Sequence, residues 1–212
     1  MHHDPRLHGL YVVTDRVQCA RSGLEQSVAA ALAGGARIVQ YRDKSTDHRR
    51  RFDEAMLLSG LCGAHGALFI VNDDARLARA VAASGVHLGQ DDMTVQQARR
   101  LLGEHAIIGI SCYDRFSLAR EAALAGADYV AFGSVFASPV KPDAVRAPLE
   151  LFTRARDELA IPACAIGGID QGNIRSVVKA GAAMAAVISA VFASPDVTGT
   201  TRELNRAFLA YA

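Results

Sequence analysis

A short apolar run followed by an alanine-rich helical stretch recurs eight times along the chain, and this rhythm constrains the fold more than any other feature. The strand-like runs lie at residues 10–14, 37–41, 67–71, 85–88, 106–110, 128–132, 162–166 and 183–188. They lack strict polar alternation, the pattern of a parallel strand buried on both faces. Helical stretches fall between them, at about 22–34, 47–65, 74–83, from 94, 116–125, from about 148, 171–180 and about 197–210. Asp74 stands at an N-cap position and Thr94 starts the helix after it. Gly35-Ala36, Gly126-Ala127 and Gly181-Ala182 supply the glycine that ends a helix before the next strand. Eight such units with no second pattern predict an α/β fold, a single (β/α)8 TIM barrel over residues 1–212. An open doubly wound sheet fits less well, because no G-x-G-x-x-G follows the first run.

With 212 residues, each unit has roughly 26, near the lower end for such barrels. Any active site must then be built from short βα loops. The 50% hydrophobic content excludes a disordered chain. No apolar run approaches the ~18–20 residues of a membrane span. Lys+Arg 23 against Asp+Glu 22 leaves a net charge of +1, so no global field draws in nucleic acid or an anionic membrane. Small-molecule partners are expected, and a homo-oligomer is compatible with the sequence. Cys19, Cys62, Cys112 and Cys164 show no paired or zinc-type spacing, and the first residues lack the apolar core of a signal peptide. A cytoplasmic protein with reduced thiols is expected.

In a barrel, chemistry sits at the C-terminal ends of the strands. Here those ends carry the unusual polar residues: Gln40, Arg42 and Lys44, then Asn72 and Asp73, then Asp92, then Ser111. The longer loop 133–147 contains Ser138, Val140 and Lys141; with residues 17–22 it is a candidate lid. Gly167-Gly168 and Ile188-Ser189 follow the last two strands. The opposite turns are mostly Gly and Ala. Glycines leading into a helix let backbone amides approach an anion, which makes Gly168 and Ser189 a candidate phosphate site. Asp73 and Asp92 on neighbouring strand ends suit a hard cation such as Mg2+. Arg42, Lys44 and Lys141 add positive charge at the same rim. Arg49-Arg50-Arg51 reads as a solvated helix face, and His87 as a hydrogen-bonded core histidine. Ser111 has no general base near it in sequence and reads as a hydrogen-bond donor. The set suits electrostatic catalysis in which a diphosphate leaves.

The ordered motifs Gln40-x-Arg42-x-Lys44, Asn72-Asp73, Gly89-Gln90-Asp91-Asp92, Gly109-x-Ser111, Lys141-Pro142 and Ile166-Gly167-Gly168-Ile169 resemble the thiamine phosphate synthase family over nearly the whole chain. The resemblance implies a TIM-barrel transferase of thiamine biosynthesis. It would join an aminopyrimidine methyl diphosphate to a thiazole phosphate, releasing pyrophosphate by a dissociative, Mg2+-assisted substitution. It implies Gln40, Arg42, Lys44, Asn72, Ser111 and Lys141 for the pyrimidine diphosphate, with Lys141, Ser111 and Arg42 acting in catalysis. It implies Asp73 and Asp92 for Mg2+, and Ser138, Val140, Gly168, Ile188 and Ser189 for the thiazole phosphate. One departure stands out: the family commonly has Thr-x-Thr-Lys where this chain has Ser138-Pro139-Val140-Lys141, so Val140 lacks a hydroxyl donor. A thiazole tautomerase of the same barrel type is the nearest alternative; it places a histidine two residues past the serine, where this chain has Tyr113. A barrel that only binds thiazole phosphate would suit Val140 but leaves Lys141 and both aspartates unexplained.

Overall fold

A computed structural model describes residues 4–137 and 145–209. Eight parallel strands close into a barrel in sequence order. They are β1 (Gly9–Val13), β2 (Ile38–Tyr41), β3 (Leu68–Asn72), β4 (Gly85–Leu88), β5 (Ile107–Tyr113), β6 (Tyr129–Phe132), β7 (Ala163–Ile166) and β8 (Met184–Val187). The helices around them are α1 (Leu24–Ala33), α2 (His48–Ala64), α3 (Ala75–Ala80), α4 (Val95–Leu102), α5 (Phe116–Leu124), α6 (Glu150–Glu158), α7 (Ile174–Lys179), α8 (Ser189–Phe192) and α9 (Val197–Leu209). No helix among the described residues is long and apolar enough to cross a membrane.

The continuous apolar runs are explained by two cores. Side chains such as Leu10, Val12, Val39, Phe69 and Ile108 point outward and pack under the helices. Tyr11, Ile38, Leu68, Ile70, Tyr129, Cys164 and Met184 point inward and fill the barrel. Both faces of every strand are therefore withdrawn from water, which is why no strand alternates.

Local signals set the helix starts. Asp47 accepts from the Arg50 N–H at 3.0 Å, and Asp74 from the Leu77 N–H at 2.9 Å. Thr94 forms a capping box with Gln97. Gly35, Gly126 and Gly181 take the left-handed conformation at the αβ junctions.

Three details differ from the sequence reading. Strand β5 runs on to Tyr113, so Ser111 lies within it and not at its end. The irregular register after Ser111 and the positive φ of Tyr113, 53°, let the strand continue past the barrel rim. The Gly167-Gly168 pair does not open directly into a helix, because α7 begins only at Ile174. Instead the short α8 starts at Ser189, a four-residue turn too brief for periodicity to reveal.

Candidate active site

The barrel mouth divides into a side-chain half over β2–β5 and a backbone half over β6–β8. In the first half the β2 end carries Gln40, Arg42 and Lys44. The Arg42 N–H donates to Thr14 Oγ1 at 3.0 Å, tying the loop to the end of β1. Among the described residues the Arg42 guanidinium has no ion-pair partner, whereas Lys44 Nζ lies 3.2 Å from Asp73 Oδ2.

Asp73 follows β3 in a left-handed conformation, φ 62°, which aspartate tolerates better than most side chains. Its N–H donates to the His87 carbonyl at 2.8 Å. Burial and the Asp92 carboxylate push the Asp73 carboxyl above its ordinary range, while Lys44 pulls it down. Asp92 is held from below by the Gly89 N–H, at 2.7 Å. A carboxylate whose proton affinity is raised by burial and by a second carboxylate, beside one lysine, belongs to a donor set suited to a divalent cation. Among the described residues no third His, Cys, Asp or Glu completes a metal-binding group. Mg2+ accepts a set of one or two carboxylates, because it keeps waters and takes phosphate oxygens beside them.

Sequence reasoning missed what braces these loops. Arg49 is solvated, but Arg50 and Arg51 are not. Arg50 reaches Asp43 Oδ2 at 2.8 Å and Glu54 Oε1 at 3.2 Å. Tyr41 donates to the same Glu54 at 2.7 Å. Burial works against ionising Asp43, yet the hydrogen bonds from Ser45 and the Arg50 charge outweigh it and hold its carboxyl low. Arg51 reaches Asp74 Oδ2 at 2.9 Å. Thus one turn of α2 anchors the residue between Arg42 and Lys44 and the residue after Asp73. The solvated-face reading fails because α2 lies along the barrel rim, where its first turn meets two loops. The i,i+4 spacing of Arg50 and Glu54 was the available signal.

The structure also supplies a hydrogen-bond partner for Ser111 that is not near it in sequence. His87 on β4 lies beside it, with Nε2 2.9 Å from Ser111 Oγ. His87 is buried, as its place between Val86 and Leu88 suggests. Burial pushes its pKa down to about 4, with Asp92 pulling weakly upward, so the ring is neutral at pH 7. Gln90 Nε2 donates to the Ser111 carbonyl at 2.6 Å, fixing the strand from the other side. Asn72 ends β3 in register with His87.

In the second half the chain itself forms the surface. Gly167 and Gly168 have φ 103° and 63°. A Cβ on Gly168 would lie 2.4 Å from the Ala137 carbonyl oxygen, and one on Gly167 2.2 Å from Ser134 Oγ. The loop after β6 packs directly on these glycines, through Val135 N–H to the Ile166 carbonyl and Phe136 N–H to the Gly167 carbonyl. The glycines are therefore required for packing whether or not an anion binds. Ser189 lies exposed at the start of α8, whose first amides have no intrahelical acceptor, and Ile188 precedes it. Ser138, Val140 and Lys141 lie outside the described residues.

Cations and paired carboxylates face a glycine cradle across one barrel mouth. That combination defines a class, the TIM barrels that handle phosphorylated ligands at their strand ends. The thiamine monophosphate synthase family profile matches residues 10–191, and the chain belongs to that family of transferases. It is 56% identical to the thiamine-phosphate synthase of Thioalkalivibrio sulfidiphilus, over 96% of each chain. It is 54% identical to that of Halorhodospira halophila, over 94% of this chain and 93% of the relative. Among solved structures, thiamine phosphate pyrophosphorylase from Pyrococcus furiosus superposes with a TM-score of 0.88 at 38% identity, over 98% of each chain.

Proposed function

We propose that this chain is a thiamine-phosphate synthase, joining an aminopyrimidine methyl diphosphate to hydroxyethylthiazole phosphate to give thiamine monophosphate and pyrophosphate. The observation that carries this reading is the pairing of Asp73 with Asp92 beside Lys44 at the rim, after strands β3 and β4, which neighbour the Gln40 and Ser111 strands β2 and β5. A tautomerase or a simple thiazole phosphate binder has no use for that set. Tyr113, where the tautomerase pattern has histidine, lies exposed under the Arg115 guanidinium.

In this reading Arg42, Lys44, Asn72 and Lys141 hold the diphosphate, and Gln40 and Ser111 face the pyrimidine. Gly168, Ile188, Ser189, Ser138 and Val140 hold the thiazole phosphate. Asp73 and Asp92 would hold Mg2+, which would neutralise charge on the diphosphate. The C–O bond to the diphosphate breaks, leaving a pyrimidine-methyl cation, and the thiazole nitrogen supplies the electron pair for the new C–N bond. Such a step requires neutralisation of the leaving group and alignment of the two rings. Arg42, Lys44 and Lys141 supply the positive charge, and the glycine cradle sets the thiazole position. The test is purified protein with both substrates, with and without Mg2+, scored for thiamine phosphate. Product only with Mg2+ is expected. Product without it overturns the metal assignment, and no product with it overturns the function.

A further inference from the structure

Gln40 and Ser111 are joined beneath the floor of the site by three residues to which the reaction above assigns no part. Gln40 Nε2 donates to Tyr11 Oη at 2.7 Å. Tyr11 Oη lies 3.0 Å from Tyr129 Oη, and Tyr129 Oη 2.9 Å from His87 Nδ1. His87 Nε2 closes the chain on Ser111 Oγ at 2.9 Å. Gln40, Tyr11, Tyr129 and His87 are all buried, and Ser111 is half-buried at the mouth. The chain descends from β2 to β1, crosses the barrel to β6, and climbs through β4 to β5.

Its direction follows from donor chemistry. An amide N–H only donates, so Tyr11 Oη accepts from Gln40 and its one proton goes to Tyr129. The Tyr129 proton then goes to His87 Nδ1. A neutral imidazole that accepts at Nδ1 carries its proton on Nε2 and donates it to Ser111 Oγ. Ser111 keeps its own O–H to offer the barrel mouth. At the far end, Gln40 has committed an N–H to Tyr11 and keeps Oε1 as an acceptor.

A second observation shows that the path is built for. His87, Gly109 and Tyr129 are in register on β4, β5 and β6. A Cβ at Gly109 would lie 2.0 Å from Tyr129 Cζ and 2.4 Å from its Oη. Only a missing side chain on the middle strand lets the tyrosine ring cross it and stack on His87, with centroids 5.5 Å apart.

We propose that Tyr11, Tyr129 and His87 are positioning residues that carry one direction of hydrogen bonding through the barrel interior, presenting a hydroxyl donor at Ser111 and a carbonyl acceptor at Gln40. This selects a ring that bears an exocyclic amine beside a ring nitrogen, the pattern of an aminopyrimidine. It rests on the reading above that Gln40 and Ser111 face the pyrimidine.

The test combines kinetics with 15N NMR of histidine-labelled protein. Wild-type His87 should be the Nε2–H tautomer, and Tyr129→Phe should give a mixture. Tyr129→Phe should raise KM for the pyrimidine diphosphate about tenfold, the scale of one hydrogen bond, and leave KM for thiazole phosphate unchanged. Added to Ser111→Ala, it should cost nothing further, because both act through the same hydroxyl. If Tyr129→Phe does not fold, Tyr11→Phe cuts the chain one link earlier and should give the same signature in smaller measure. An Nδ1–H tautomer in the wild type, or a Tyr129→Phe that moves both KM values alike, overturns the relay. If Ser111→Ala raises the pyrimidine KM and Tyr129→Phe does not, the relay alone falls. If Ser111→Ala leaves that KM untouched, the site reading falls and takes the relay's role with it.

Discussion

Over β2–β5 the barrel rim presents side chains: Gln40, Arg42, Lys44, Asp73, Asp92 and Ser111, with Arg42 tethered through its backbone N–H and the others held by hydrogen bonds or ion pairs of their side chains. Over β6–β8 it offers mainly backbone, at two left-handed glycines and the first turn of α8. Both halves sit on strands of four to seven residues in the same closed sheet. The difference matches what each would hold. A diphosphate that departs demands charge that can be concentrated on it, which lysine, arginine and a cation held by carboxylates provide. A phosphate that stays attached to its thiazole needs only a fixed seat, which amides provide without net charge.

The largest expected effect breaks the first half alone. Asp92→Ala should lower Mg2+-dependent turnover by about 10²–10³-fold, the range for removing one preorganised electrostatic partner. The denaturation midpoint should barely change, since Asp92 is exposed, it accepts from the Gly89 N–H of its own loop, and its removal relieves the neighbouring Asp73 carboxylate. Steady-state kinetics across a Mg2+ titration, beside urea denaturation, checks both halves of this statement. Full turnover at ordinary Mg2+ would contradict the metal assignment.

The two halves should also differ in acid. His87 is buried and neutral, with its pKa pushed down to about 4, while in the unfolded chain it titrates near 6.5. Below 6.5 the unfolded state takes up a proton that the folded state refuses. Stability is therefore full above pH 6.5 and declines as the pH falls toward 4, by on the order of 3 kcal/mol. Urea denaturation at pH 7 and pH 4.5 should show this loss in the wild type and a flatter dependence in His87→Gln. Equal slopes would mean that His87 is not the titrating group. On the β7 side the buried interior group is Cys164, whose thiol burial pushes up, so it adds no acid sensitivity.

Gly168→Ala probes the backbone half. A non-glycine residue at φ 63° carries a cost, and its Cβ would meet the Ala137 carbonyl at 2.4 Å. The two together should destabilise the fold by about 1–3 kcal/mol. KM for thiazole phosphate should rise while KM for the pyrimidine diphosphate stays put, since Gly168 lies across the mouth from Gln40 and Ser111. A rise confined to the pyrimidine substrate would reverse the assignment of the two halves.

The asymmetry also explains what could be read from the sequence. The barrel was legible because eight buried parallel strands leave eight continuous apolar runs. The strand-end side chains were legible because charged residues stand out against that background. The Arg50 and Arg51 braces were not, because consecutive arginines on a helix look solvated until the helix is set against the rim. The Gln40-to-Ser111 chain was not, because its five members come from five strands and meet only through register. Gly109 shows this most sharply: in sequence it is a glycine in an isoleucine-rich strand, and in the barrel it is the gap through which Tyr129 reaches His87. The backbone cradle was half legible, since Gly167-Gly168 marked the turn but could not show that the loop after β6 rests on it.

The smallest expected effect tests whether the first half depends on its bracing. Arg51 is largely buried against Asp74, next to Asp73, the proposed Mg2+ ligand, while Arg49 points into water with Asp53 four residues on. Arg51→Ala removes a hydrogen bond to a charged group and leaves Asp74 as a cap without its counterion. It should cost about 1–2 kcal/mol and raise the Mg2+ concentration needed for half-maximal turnover, because the Asp73 backbone is held less firmly. Arg49→Ala removes an exposed i,i+4 pair and should change stability by at most about 0.5 kcal/mol, with no change in the Mg2+ requirement. Denaturation midpoints and Mg2+ titrations of the two variants side by side separate the cases. Identical behaviour of Arg49→Ala and Arg51→Ala would restore the solvated-face reading of all three arginines, and the side-chain half would then owe its geometry to the strand ends alone.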